Sequence, residues 1–325
     1  MILVTGATGF IGGHLIRRLQ AEGRPFRCLV RDVTRAVAGG LPAAACVAGD
    51  LLDQRSLLPA VDGIKSVVHL AGVVRARRAE EFIRGNHTAT ALLIDALTQR
   101  SIGFGPARFV HVSSLAAVGP SADGVGTDRP PFQCDPVSAY GFGKRGAEIE
   151  LPAGGRRVQW LALRPPIVFG PGDRDCLPLF RAGKHGVLPG AGPDQRYSLL
   201  YVVDLVDAIV RALDSTVVGR FVPLSGGVLS TEELAQALGA ACGRTAAPLR
   251  MPVLLLRLAG LGADLVARVT GRPTTFSTDK VREMLAGSWV ADGRVAEQVL
   301  GFTPRTDLRT ALRATADWYR QQGWL

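Results

Sequence analysis

Short, largely apolar runs alternate with amphipathic stretches through the first half of this 325-residue chain. Ile2–Thr5, Arg27–Val30, Cys46–Ala48, Ser66–Leu70, Arg108–Ser113 and Gln159–Arg164 read as strands. Helices are predicted from about Gly12 to Glu22, over Ala89–Arg100 and over Tyr140–Glu150. Repeated strand–helix alternation of this kind predicts an α/β fold, a doubly wound parallel Rossmann sheet covered by helices on both faces.

After Arg164 the pattern breaks. Pro165, Pro166, Gly170, Pro171, Gly172, Pro178, Gly183, Gly186, Pro189, Gly190, Gly192 and Pro193 mark a loop-rich stretch. A strand-like run at Leu199–Val203, a helix over Asp204–Leu213 and a strand-like run at Phe221–Leu224 follow. From Ser230 onward helix dominates, and Ser230-Thr231-Glu232-Glu233 is a good helix start, because serine and glutamate three positions apart can cap one another. The expected division is a dinucleotide-binding domain over 1–166, to which 198–225 returns. A smaller, mostly helical, interleaved substrate lobe takes 167–197 and 226–325.

The apolar run Val253–Val269 is interrupted by Arg257, Asp264 and Arg268, too short and too charged to span a membrane. A buried amphipathic helix is the first expectation. Attachment to a membrane surface, or the wall of a site for an apolar substrate, is the alternative.

The formal charge of +10 rests mostly on arginine, since Lys65, Lys144, Lys184 and Lys280 are the only lysines. A positive field suits anionic partners, a phosphorylated cofactor among them. The arginines are nevertheless spread along the whole chain, so no nucleic-acid partner is expected. Cys28, Cys46, Cys134, Cys176 and Cys242 are odd in number and never spaced C-x-x-C. That argues against a disulfide framework or zinc cluster and, with histidines equally dispersed, predicts no metal and a reducing, cytoplasmic compartment. The opening Met1-Ile2-Leu3-Val4 lacks the basic region of a secretory signal.

Candidate chemistry begins at the first strand–helix junction. Gly6-Ala7-Thr8-Gly9-Phe10-Ile11-Gly12 sits where a dinucleotide pyrophosphate would meet a helix N-terminus. The first glycine permits the turn, the second lets backbone approach phosphate, and the third allows close helix–strand packing. At the end of the second strand, Arg31 stands where an NAD site usually offers a carboxylate, with Asp32 next and Arg35 nearby. A guanidinium suits a ribose 2′-phosphate, so NADP is favoured over NAD. Asp50 and Leu51 end a later strand and could bracket the adenine. Leu70, Ala71 and Gly72 offer small residues along which the cofactor could lie.

Tyr140 and Lys144 are four apart, hence on one helical face. Hydride transfer at an alcohol carbon needs a matching proton transfer at its oxygen. A lysine ammonium and an oxidised nicotinamide should bring a tyrosine pKa down from about 10 toward the working range. Ser113-Ser114 ends a strand at the carboxyl edge of the sheet, where doubly wound folds bind ligands. Ser114 is expected to hold the substrate oxygen and meet Tyr140, and Ser113 to hold the backbone turn.

These motifs, in this order, resemble the extended short-chain dehydrogenase/reductases, the NAD-dependent epimerase/dehydratase superfamily. Leu163 to Gly172, Tyr201 to Leu205 and the closing Trp318 to Trp324 carry the likeness to the end of the chain. The resemblance implies that Lys144 also binds the nicotinamide ribose and that backbone at Pro166, Ile167 and Val168 receives the carboxamide. It also places Asn86 near the cofactor and implies a homodimer through the Ala89–Arg100 and Tyr140–Glu150 helices. Dehydratases of this superfamily carry an acidic pair where this chain has Leu115 and Ala116, so dehydration is not expected. The run from Arg196 to Tyr201 only partly matches the epimerase pattern. Pro248–Thr270, with Gly271-Arg272-Pro273 and Asp279-Lys280-Val281 following, looks more like the 3β-hydroxysteroid dehydrogenase and dihydroflavonol-reductase-like branches.

The expected function is NAD(P)-dependent hydride transfer at a secondary alcohol or carbonyl of a mostly apolar small molecule. Two alternatives stand beside it. One is a nucleotide-sugar epimerase, motivated by Arg174, Arg181, Lys184 and Arg196. The other is a non-catalytic cofactor-binding subunit or redox sensor.

Overall fold

The computed structural model describes residues 1–99, 105–190, 195–271, 274 and 276–325. Arg100, Gly192, Pro193, Arg272 and Pro273 lie outside them.

The strands are β1 (Ile2–Thr5), β2 (Phe26–Val30), β3 (Cys46–Ala48), β4 (Ser66–His69), β5 (Ala107–Val112), β6 (Val158–Arg164), β7 (Ile167–Phe169), β8 (Val187–Gly190), β9 (Arg196–Tyr201), β10 (Arg220–Pro223), β11 (Gly227–Ser230) and β12 (Ala247–Arg250). Seven of them form a parallel sheet in the order β10-β6-β5-β4-β1-β2-β3. Chain order reverses between β1 and β4, the switch point at which such sheets open a crevice.

Alternation along each strand divides the core in two. Val4, Val68 and Val110 face one cluster with Leu15, Ile16 and Leu19 of the Phe10–Ala21 helix and Leu205 and Ile209 of the Val202–Asp214 helix. Their neighbours Leu3, Val67 and Phe109 face the other, with Leu57 of the Gln54–Val61 helix and Leu93 and Leu97 of the Ala89–Gln99 helix. The Ala89–Gln99 helix starts earlier than its sequence suggests. Ala79–Phe82 and a wider π-helical turn over Ile83–Thr88 run into it with helical backbone throughout.

Two smaller sheets stand apart. β9 joins β7 in parallel and β11 antiparallel, and β8 pairs with β12. They cover a third cluster of Phe169, Phe180, Leu234, Leu238, Leu312 and Tyr319. The stretch expected to be loop therefore holds β7, β8 and the Leu177–Lys184 helix. Its prolines mislead because Pro178 occupies the first helical turn, where no amide partner is lost, and Pro189 lies in a two-stranded pair. The strand expected over Leu199–Val203 ends at Tyr201 and lies in the second sheet. Ser230 and Glu233 form the reciprocal cap foreseen for them, with bonds of 3.1 and 2.8 Å.

Val253–Thr270 is one helix, as expected, but it is not buried. Only Leu256, Gly260 and Ala267 of it are buried. Among the described residues, no helix is long and apolar enough to cross a membrane.

Candidate active site

The loop after β1 is shaped by close packing. A Cβ at Gly12 would stand 2.2 Å from the Gly6 carbonyl oxygen and 2.7 Å from the Ala7 Cα, so the helix can approach the strand only without a side chain there. Thr8 and Gly9 are exposed, and Phe10 and Ile11 open the helix. Gly9 occupies the N-cap, no side chain caps this end, and the first turn holds no acid. A twelve-residue helix thus presents free amides and the positive end of its dipole. The donor set fits a dinucleotide pyrophosphate.

At the end of β2, the Asp32 carboxylate is taken up locally, accepting the Arg35 amide at 2.9 Å as the cap of the Val33–Ala38 helix. The Arg31 and Arg35 guanidiniums are exposed and paired with no described residue. After β3, Asp50 closes a turn, its carboxylate accepting the Leu52 amide at 2.9 Å, while Leu51 packs against the core.

The floor of the crevice is held by a buried polar chain. Thr5 Oγ1 accepts the Ala71 amide at 3.2 Å and lies 2.7 Å from His69 Nδ1. His69 Nε2 lies 3.0 Å from Thr90 Oγ1, which donates to the Asn86 carbonyl at 2.7 Å. Every bond is satisfied by a neutral ring with its proton on Nε2. Burial agrees, pushing the His69 pKa down to about 3, with the Lys144 charge adding to the effect. Asn86, on the π-helical turn, clamps Val73 by accepting its amide and donating to its carbonyl, both at 3.0 Å. Leu70, Ala71 and Gly72 are thereby tied at both ends, from Thr5 and from Asn86.

Ser114 reaches Tyr140 as expected, but the backbone turn expected of Ser113 falls to Ser114 as well. The Ser113 hydroxyl is buried without a partner among the described residues. Ser114 instead caps the following turn, accepting the Ala116 amide at 3.1 Å. The Leu115 amide donates to the Pro165 carbonyl at 2.9 Å, which places the Pro166–Val168 crossover beside Ser114. Leu115 and Ala116 are both buried, Leu115 against Val118, Cys134 and Ala291.

Tyr140 and Lys144 lie on the Ala139–Glu150 helix, a turn apart. Lys144 is buried, donates from Nζ to the Val112 carbonyl at 3.0 Å, and would lie 3.2 Å from a Cβ at Gly72. It therefore joins the ends of β4 and β5. Burial lowers its pKa to about 8, with Glu148 acting the other way.

The partly buried Tyr140 ring sits edge-on to Phe82. Its pKa is raised to about 12, first by burial; Ser114 hydrogen bonding lowers it and Glu283 raises it further. Burial outweighs the Ser114 hydrogen bond, so the chain's own residues hold this phenol in its protonated form. A neutral phenol at this place is equipped to give a proton.

The N-terminus of this helix is closed from the C-terminal lobe. Asp279 accepts the Ala139 amide at 2.7 Å and the Tyr140 amide at 3.3 Å. Ser138 accepts the Gly141 amide at 3.0 Å and donates to Glu283 at 2.7 Å. No local signal marks Asp279 as a cap, since its partner is 140 positions away.

The model of the NAD dependent epimerase/dehydratase family matches residues 2–222. A ceramide reductase of Caulobacter vibrioides is 33% identical over 333 residues, covering 100% of this chain and 96% of the relative. Sterol demethylase protein B of Methylococcus capsulatus is 26% identical, with 99% of each chain covered. The solved structure of MoeE5 with UDP-glucuronic acid and NAD superposes with a TM-score of 0.73 at 27% identity and 99% coverage of both chains. Motifs, sheet order and these likenesses converge, and the chain belongs to the NAD-dependent epimerase/dehydratase family of enzymes.

Proposed function

We propose that this enzyme reduces a ketone on a long-chain, ceramide-like lipid to the secondary alcohol, using NADPH in preference to NADH. The carrying observation is Tyr140 and Lys144 a turn apart on one helix with Ser114 in hydrogen-bond reach of the phenol, followed by buried Leu115 and Ala116 in place of acids. The full-length likeness to a ceramide reductase supplies the substrate class.

A bound nicotinamide supplies the hydride. Ser114 orients the carbonyl oxygen, Tyr140 gives that oxygen a proton, and Lys144 holds the nicotinamide ribose and its own positive charge nearby. Arg31 and Arg35, paired with no described residue, suit a 2′-phosphate. The free thiols of Cys28, Cys46, Cys134, Cys176 and Cys242 agree with a reducing, cytoplasmic location. Phe142 and Ile149, exposed two turns apart on one helical face, suit a homodimer.

The nucleotide-sugar reading has weaker support. Arg174 lies over the Trp324 ring at 4.7 Å, and Arg181 donates to the Trp324 carbonyl, so two of its cations are already occupied. A panel of detergent-dispersed keto-ceramides and UDP-sugars separates the readings by NADPH oxidation and thermal shift. Oxidation with a keto-ceramide and no shift with UDP-sugars is expected. A UDP-sugar ligand at 100-fold above its Kd would add about 2.7 kcal/mol and overturn the proposal.

A further inference from the structure

The Val253–Thr270 helix is apolar on the side that faces water. Its buried stripe is narrow, made of Leu256, Gly260 and Ala267. Gly260 lies close against Thr278 and Val281 of the neighbouring Thr278–Leu285 helix. At 100° per residue, the opposite face carries Leu254, Leu258, Leu261, Leu265 and Val269, which are 54–80% exposed. Leu255 and Val266 widen it. An amphipathic helix of a globular domain puts its broad apolar face inward; this one does the reverse.

Charge selects what covers that face. Arg257 and Arg268 border it along one edge, Arg250 precedes the helix, and Arg77 lies beside Gly271 at its C-terminal end. All four are exposed and pair with no described residue. The one acid of the helix, Asp264, is turned inward and receives the hydroxyl of Thr278. A second copy of the chain is disfavoured, because a two-fold contact would set these arginines against themselves with no acid of the helix to answer them. A leucine and valine face edged by guanidiniums matches an anionic bilayer, acyl chains beneath and phosphates beside.

We propose that the Val253–Thr270 helix lies in the interfacial plane of an anionic membrane and docks the enzyme there without spanning it. The Thr278–Leu285 helix, which carries Asp264's partner, also supplies Asp279 to the amides of Ala139 and Tyr140. The docking face and the tyrosine helix are thus held by one connected unit, suited to a substrate drawn from the lipid phase. Docking does not depend on the reductase reading.

The test is flotation of the full chain with phosphatidylcholine vesicles, with and without phosphatidylglycerol, at low and high salt. The wild type should float with the anionic vesicles and release at high salt. Leu258→Glu/Leu265→Glu should reduce flotation by at least roughly tenfold, since each change puts a carboxylate where an apolar side chain enters the interface. Arg257→Glu/Arg268→Glu should lose the preference for anionic vesicles. Both variants should keep the wild-type thermal midpoint and cofactor affinity, which separates lost docking from lost folding. A wild type that stays at the bottom, or a leucine variant that floats equally well, overturns the proposal. So does a dimer in sedimentation that the leucine variant abolishes without any flotation of the wild type. Flotation needs no turnover, so its outcome and that of the keto-ceramide panel are independent.

Discussion

The two helices that shape the site present their N-termini in opposite ways. The Phe10–Ala21 helix leaves its first amides uncapped behind exposed Thr8 and Gly9. The Ala139–Glu150 helix is closed by Ser138 and by the distant Asp279. An open end leaves its donors to water or to an arriving anion, whereas a closed end is finished by the chain itself. The open end is the one proposed here for the cofactor. The closed one fixes a helix whose side chains, not its amides, are proposed to take part in the chemistry.

Filling the open end should have the largest effect. Gly12→Ala pushes a methyl into the Gly6 carbonyl and should cost about 1–3 kcal/mol. Its cofactor affinity, read by fluorescence titration, should drop at least tenfold, roughly 1.4 kcal/mol. An unchanged affinity would break the contrast between the two ends. Next in size, Arg31→Ala/Arg35→Ala should weaken NADPH binding about tenfold, the worth of a charge-assisted bond or two, and leave NADH nearly unchanged.

Opening the closed end should do less. Asp279→Ala removes a cap worth about 1 kcal/mol and should lower kcat several-fold while leaving cofactor affinity intact. Equal losses in both would mean that the two ends are not separate devices. The smallest effect is in the pH dependence of Lys144, whose folded pKa of about 8 lies below its ordinary 10.5. Between these values the unfolded chain binds more protons, so this group makes stability rise with pH across the window. Reduction should instead decline above about pH 8, as the ammonium is lost. Lys144→Met should abolish the rise in thermal midpoint.

Legibility in the sequence follows the same division. Buried parallel strands and a glycine loop are local patterns, so β1, β4, β5, β6 and the open helix end could be read directly. Tyr140 and Lys144 were legible because their four-residue spacing lies on one helix. Their electrostatics were not, since burial of the phenol and a carboxylate from Glu283, far along the chain, raise its pKa against the Ser114 hydrogen bond. Asp279 stands out in the sequence only as part of a C-terminal motif, because a cap from 140 residues away leaves no local trace. The sequence of Val253–Thr270 marks a helix and suggests burial, whereas most of its apolar residues are exposed. Apolar periodicity identifies a face and says nothing of whether protein, lipid or water lies against it.

The most direct test of the central claim is single-turnover reduction of a keto-ceramide by the NADPH-loaded enzyme, comparing wild type with Tyr140→Phe. Loss of the proton donor should slow reduction by about 10²–10⁴-fold with NADPH affinity unchanged. Equal rates in the two proteins would contradict the assignment of Tyr140 as the acid.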